Sequence, residues 1–292
     1  MPFVELPSRG LSAVYYTINP EYTDLSMSIK TPPPPSQALD PAKPILVLNH
    51  AGTSSSNSFI YQFREPRLRE ALNLLAFDSR YYGRTSPERV DHFQDLDERA
   101  DELLDAIDAV IGDRPFSYLG ESFVGSHVGT YIAAKRPEQI KAMILLSPSF
   151  ITDPPIMTET LRREWRPSCE SNKFGNGDGS GRLPPEAMEV VADYFFSGAT
   201  HAPERRQAFI NQYQETHAGE DMLKVDQLLH WFERKAPPPE VFAAEWSNHL
   251  VSVPEEDKRV ETVAGGAHFL ATTDSNIVNR FVLGFLKRYN LA

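Results

Sequence analysis

Cysteine is almost missing from this chain. One residue, Cys169, stands among 292, which excludes an intramolecular disulfide and a cysteine-rich metal site. Positive charge is also scarce: Lys and Arg number 29 against 40 Asp and Glu, a net charge of −11. That balance disfavours non-specific attraction to nucleic acid or anionic lipid. No apolar run approaches the ~18 residues that a membrane span needs. The opening MPFVELPSRG has no basic region leading into an apolar stretch, so no secretory leader is expected. His201, His217, His230 and His249 lack any paired spacing of the H-E-x-x-H kind, which argues against zinc. What is present is a composition 41% hydrophobic and 24% charged. It suits a soluble, cytoplasmic globular protein with a buried core.

Short strands are expected in the first forty residues, Leu11–Ile18 the clearest, before the stiff proline run Pro32–Pro35. An alternation follows. Pro44–Leu48 (PILVL), Leu74–Phe77, Phe116–Leu119 and Ala142–Leu146 read as short buried strands. Between them, Phe59–Leu72, residues 94–111 and Phe123–Ala134 read as helices, the second with an apolar stripe and its acids outside. Strand–helix–strand repetition with continuously apolar strands implies an α/β fold: a doubly wound, mostly parallel sheet covered on both faces. Residues 151–240 show helical patterns (Glu186–Phe196, Glu204–Tyr213, Met222–Phe232) and no convincing buried strand. The expected organisation is therefore a core of 1–150 and 241–292 with a helical insertion at 151–240. A helix at Val241–Leu250, a strand at Arg259–Val263 and a final amphipathic helix at Ile277–Tyr289 would complete the core.

Chemistry concentrates in three places. Gly120-Glu121-Ser122-Phe123-Val124-Gly125 sits where a strand runs straight into a helix. A serine there occupies a tight turn above the carboxyl ends of the strands, beside a helix N-terminus with free N–H groups. Taken alone, Ser122 also reads as a helix cap. A base for it is available late in the chain, in Gly265-Gly266-Ala267-His268, where a small-residue turn can hold an imidazole over the same sheet edge. The third place is Asn49-His50-Ala51-Gly52 after the PILVL strand. The Gly52 and Phe123 amides would form an oxyanion hole, with His50 orienting its loop through hydrogen bonds.

In this order the parts resemble the α/β-hydrolase superfamily across nearly the whole length. His50-Ala51-Gly52 stands where the family has His-Gly, and Asp78-Ser79-Arg80-Tyr81-Tyr82-Gly83-Arg84-Thr85-Ser86 is similar to its Asp-x-Arg-Gly-x-Gly-x-Ser turn. Gly120–Gly125 resembles the nucleophile elbow, 151–240 the lid, and Gly265–His268 the histidine loop. Val124 replaces a small residue, and Tyr81 and Ala51 each replace a glycine. The resemblance implies a catalytic acid after a further strand, yet no apolar run of that kind lies between Ile151 and Glu240. Asp153, Glu233 and Asp221 are the candidate substitutes. Asp153 is preferred because it follows the AMILL strand and needs no new strand to place it.

The expectation is a serine hydrolase of an ester, thioester or related activated carbonyl in a small, largely apolar substrate. Ser122 is its nucleophile, His268 its base, Asp153 its orienting acid, and no cofactor is implied. The alternative is an inactive hydrolase fold that binds a ligand, suggested by Val124 and the missing acid strand.

Overall fold

Successive residues of a strand face opposite sides of its sheet, yet Ile45, Leu46, Val47 and Leu48 are all buried. Only a sheet covered on both faces satisfies that pattern. The computed structural model describes residues 2–22, 35–52, 54–85, 93–148, 155–175, 179, 182–196, 203–216, 225–227, 229–230, 262–263 and 270–291. Among them β1 (Phe3–Leu6), β2 (Leu11–Ile18), β3 (Ile45–Asn49), β4 (Asn73–Phe77), β5 (Phe116–Glu121) and β6 (Ile140–Leu146) form one sheet. Its order is β1-β2-β4-β3-β5-β6. The four strands from β4 to β6 are parallel, and β1 and β2 join antiparallel at the β4 edge. The expected α/β fold with a mostly parallel sheet is therefore present, and the strands expected at Leu11–Ile18, Pro44–Leu48, Leu74–Phe77, Phe116–Leu119 and Ala142–Leu146 are found within a residue or two of their bounds.

The helices that cover the sheet follow from local sequence. After a short 3-10 turn at Ser56–Phe59, α1 (Ile60–Phe63) and α2 (Pro66–Ala71) divide the expected helix at Pro66, because a proline is tolerated only in the first turn of a helix. The long helix α3 (Leu96–Ile111) is opened by a capping box in which Glu98 accepts the Asp95 N–H at 2.9 Å. Next, α4 (Ser122–Lys135) begins directly at the end of β5. Ile45, Val47, Leu75 and Phe77 share one cluster with the apolar stripes of α3 and α4. On the opposite face Leu46, Leu48, Leu74 and Ala76 pack with Phe63, Leu68, Val278 and Leu286. Each such side chain contributes roughly 1.5–3 kcal/mol when fully buried, so the two clusters fix which face of each strand points where.

The segment after β6 is helical: α5 (Pro155–Thr160), one π turn (Leu161–Trp165), α6 (Arg166–Phe174), α7 (Pro185–Phe195) and α8 (Pro203–Thr216). A helical insertion was expected over 151–240, but no individual helix was expected over 155–174, a run that carries Pro167. The chain accommodates it by widening the preceding turn, where the Arg166 N–H bonds the Leu161 carbonyl five residues back. Leu161, Trp165 and Cys169, four residues apart, are buried in one row. The chain closes with α9 (Leu270–Thr273) and α10 (Ser275–Arg288). The helix expected at 241–250 lies outside the described residues, as does most of the strand expected at Arg259–Val263. No helix among the described residues is long and apolar enough to cross a membrane.

One expectation about α3 needs correction. Its acids do not all face outward: Glu102 is buried, and so is Arg99. Glu102 is held there by charge pairing, accepting from Arg99 at 2.6 Å and from Arg80 at 2.7 Å. A periodicity argument sees only the polarity of a position and misses a buried partner brought in from another loop.

Candidate active site

Asn49 of β3 pairs with Gly120 of β5, so the turns after these two parallel strands leave the same sheet edge side by side. The second turn carries Ser122, which stands in the left-handed region at φ +65°. For a residue with a Cβ that conformation costs roughly 1–2 kcal/mol, and the packing around it must hold it there. The flanking glycines show how tightly strand and helix approach. A Cβ on Gly120 would lie 2.2 Å from the Gly125 carbonyl oxygen, and one on Gly125 would lie 2.7 Å from the Asn49 carbonyl oxygen. Val124, the residue that departs from the family pattern, is buried in the apolar cluster with Val128 and Ile132, so the β-branched side chain is accommodated.

The local field suits developing negative charge. Ser122 and Phe123 open α4, whose first turn contains no acidic residue, and the first four N–H groups of a helix have no intrahelical acceptor. Those amides and the aligned peptide dipoles favour an anion beside the serine hydroxyl. Gly52 lies buried in the turn after β3, the strand next to β5. The expectation that its amide and that of Phe123 serve one oxyanion rests on this adjacency of turns.

That β3 turn is braced by two buried polar groups. His50 donates from Nδ1 to the Ala51 carbonyl at 2.6 Å, while its Nε2 accepts the Ser79 N–H at 2.9 Å. Both bonds at once require the neutral ring, and burial pulls its pKa from 6.5 down to about 4. Asp78 accepts the N–H groups of Ser56 and Arg84, each at 2.7 Å. One carboxylate therefore ties the loop after β3 to the loop after β4. Within the latter loop Tyr81 stands at φ +70°, which accounts for the glycine the family pattern places there. His50 thus has the structural role that the sequence suggested.

Of the residues picked out from sequence, Gly52 stands in the turn after β3 and Ser122 and Phe123 in the neighbouring turn after β5. His268, Asp153, Asp221 and Glu233 lie outside the described residues. His127, on α4, is buried with its ring 4.6 Å from that of Phe123. Among the described residues no group of three or more His, Cys, Asp or Glu could hold a metal ion.

Sequence reasoning passed over Glu121. Its carboxyl is fully buried at the end of β5 and accepts the Ala271 N–H at 3.0 Å. Desolvation pushes its pKa from 4.5 up to about 8, the Ala271 bond opposing only in part. The available signal was an acidic residue closing an otherwise uncharged, fully buried strand.

Comparison with known proteins agrees with this architecture. The family model described as the alpha/beta hydrolase fold matches residues 44–172. No curated protein matches the chain in sequence. Among solved structures, a carboxylesterase from the thaumarchaeon Nitrososphaera gargenis is similar over 99% of both chains, at 15% identity and a TM-score of 0.65. An esterase from Thermogutta terrifontis is 14% identical, with 95% of this chain and 94% of that one covered and a TM-score of 0.64. The enol-lactonase of Burkholderia xenovorans is 12% identical, with 98% and 100% covered and a TM-score of 0.61. Sheet order and a left-handed serine between β5 and α4 agree with the match over residues 44–172: the fold is that of the α/β hydrolases.

Proposed function

We propose that the protein is a serine hydrolase acting on an ester, lactone, thioester or related activated carbonyl in a small, largely apolar substrate. The observation that carries this reading is Ser122 at φ +65°, between the end of β5 and the start of α4. A left-handed non-glycine residue is costly, and such strain persists where it aims a side chain for function. The named activities of the structural neighbours, carboxylester and enol-lactone hydrolysis, agree with this class of substrate.

In this reading the Ser122 hydroxyl attacks the carbonyl carbon while His268 takes its proton. The amides of Gly52 and Phe123 hold the oxyanion. Collapse expels the alcohol or thiol, which receives the proton from His268 and leaves an acyl group on Ser122. Water, deprotonated by the same imidazole, then attacks the acyl carbon and releases the acid. Asp153 is assigned to orient the imidazole. The segment from 151 to 240 is assigned as the lid that selects substrate, on its buried aromatic side chains Trp165, Phe196 and Phe209.

A fluorophosphonate probe tests the reading directly. Wild type is expected to be labelled and Ser122→Ala is not. A panel of p-nitrophenyl esters, lactones and acyl thioesters of rising length then identifies the substrate class. Asp153→Asn, Asp221→Asn and Glu233→Gln, compared side by side, locate the acid: the correct one loses kcat by ~10⁴-fold. Absence of labelling in folded wild type would leave a ligand-binding hydrolase fold as the answer.

A further inference from the structure

The backbone N–H and carbonyl of Ala271 are each held by a buried side chain from far away in sequence. Its N–H donates to Glu121 Oε1 at 3.0 Å, and its carbonyl accepts from Gln62 Nε2 at 2.9 Å. Glu121 immediately precedes Ser122, and Ala271 stands three residues after His268. One carboxyl thus connects the turn of the candidate nucleophile to the first helix after the candidate base. Thr272 adds a bond from its hydroxyl to the Ser58 carbonyl at 3.2 Å, so α9 is fastened to the core along its length.

We propose that Glu121 is a positioning residue: its carboxyl ties α9 to the turn that carries Ser122 and thereby holds that turn in the geometry the nucleophile needs. The proposal rests on the reading of Ser122 as nucleophile. It explains why an acid is kept at a site that disfavours acids. Glu121 is fully buried, and among the described residues its Oε2 makes no hydrogen bond and no arginine or lysine compensates it. Leu146, its neighbour on β6, and the four residues of α9 bring no ionisable side chain to it. An apolar residue would be cheaper there, but could not accept the Ala271 N–H. Held neutral, the carboxyl accepts that bond without placing a negative charge beside the oxyanion. Its upward-shifted pKa is consistent with that state at neutral pH.

The test compares wild type, Glu121→Gln and Glu121→Ala, all full length. Glutamine keeps a carbonyl acceptor for Ala271, whereas alanine removes it. Misplacing a catalytic group by about 1 Å costs ~100-fold in rate. Glu121→Ala is therefore expected to lose ~10–100-fold in kcat with KM within ~3-fold, while Glu121→Gln stays within ~3-fold of wild type. Amide hydrogen exchange over 270–273 is expected to accelerate in the alanine variant alone. Should that variant fail to fold, the glutamine variant carries the test through its pH profile. Wild-type kcat is expected to fall above pH ~8 as Glu121 ionises, and the glutamine variant is expected to lack that limb. Identical alkaline limbs, or an alanine variant with normal kcat or unchanged exchange, would overturn the proposal while Ser122 labelling left the hydrolase reading standing. No labelling of wild type would instead remove the hydrolase reading and this proposal with it.

Discussion

The phenol of Tyr118 donates to the carbonyl of Gly125 at 2.6 Å and accepts the side-chain amide of Asn49 at 2.8 Å. A single buried hydroxyl therefore binds the end of β3 to the first turn of α4, on either side of the candidate oxyanion site. Tyr118→Phe removes both bonds and leaves the Asn49 amide buried without this acceptor. The expected loss is ~1–3 kcal/mol of unfolding free energy, read as a lower urea midpoint at unchanged m value. An unchanged midpoint would show that the hydroxyl holds nothing. Gly129→Ala is expected to be worse, since its Cβ would lie 2.3 Å from the Tyr118 ring, and a buried ring cannot yield cheaply.

His50 makes the fold sensitive to acid. Folded, the ring stays neutral down to about pH 4, while an unfolded histidine takes up a proton below its ordinary 6.5. The unfolded state therefore binds more protons between those values. Stability from this group is complete above pH 6.5 and falls as pH drops toward 4, by up to about 1.4 kcal/mol per pH unit. Urea titrations at pH 7 and pH 5 measure the slope. His50→Gln is expected to be less stable at pH 7 but to have a flatter acid limb. An equal slope in both proteins would mean that His50 does not set it.

Glu121 contributes the opposite slope. Its folded pKa is raised from 4.5 to about 8, so between those values the folded state holds a proton that the unfolded state gives up. Its contribution is complete below pH 4.5 and is lost as pH rises through about 8. Glu121→Gln removes that proton linkage. The variant is expected to gain stability over wild type as pH climbs from 5 to 8, by a few kcal/mol at the upper end. Parallel pH–stability curves would refute it.

Glu102 is the carboxylate shared by two buried guanidiniums. It accepts Arg80 through Nε at 2.9 Å and Nη2 at 2.7 Å, and Arg99 at 2.6 Å, while Gln94 donates at 2.9 Å. Glu102→Ala leaves both cations without their carboxylate and is expected to cost ~3–5 kcal/mol. Because Arg80 belongs to the loop that Asp78 organises, exchange protection of 78–85 should fall with it. A loss below 1 kcal/mol would place the pair in effectively solvated surroundings.

Much of this was legible in the sequence because it depends on burial patterns of short range. The PILVL run, the strand-to-helix junction at Ser122 and the apolar stripe of α3 each state their own structure. Other features were hidden because their causes lie far along the chain. Nothing near Glu102 announces Arg80, and nothing near Glu121 announces Ala271, 150 residues later. The helical run through Pro167 escaped notice for a local reason: a π turn can absorb a proline that an α-helix would reject. The elbow itself was readable because glycine spacing encodes close approach, whereas the identity of a triad acid depends on which loop ends reach one point in space.

Arg205 gives the last expectation, since it joins α8 to the backbone that Glu121 also holds. Its guanidinium donates to the carbonyls of Thr272 at 2.5 Å and Thr273 at 2.9 Å, and lies 4.2 Å from the Tyr61 ring centroid. The last carbonyls of α9 lack intrahelical partners and carry partial negative charge, so a cation there is favourable. Lysine can supply the charge but not a planar fork that stacks on a ring while it donates. Arg205→Lys is therefore expected to loosen α8 modestly and Arg205→Ala to loosen it more, each costing ~1–2 kcal/mol of local stability. Faster thermolysin cleavage within 203–216, at a nearly unchanged global urea midpoint, is the signature of such local opening. If cleavage stays at the wild-type rate in both variants, α8 is held by Ala208 packing on Ile60, and the arginine is dispensable.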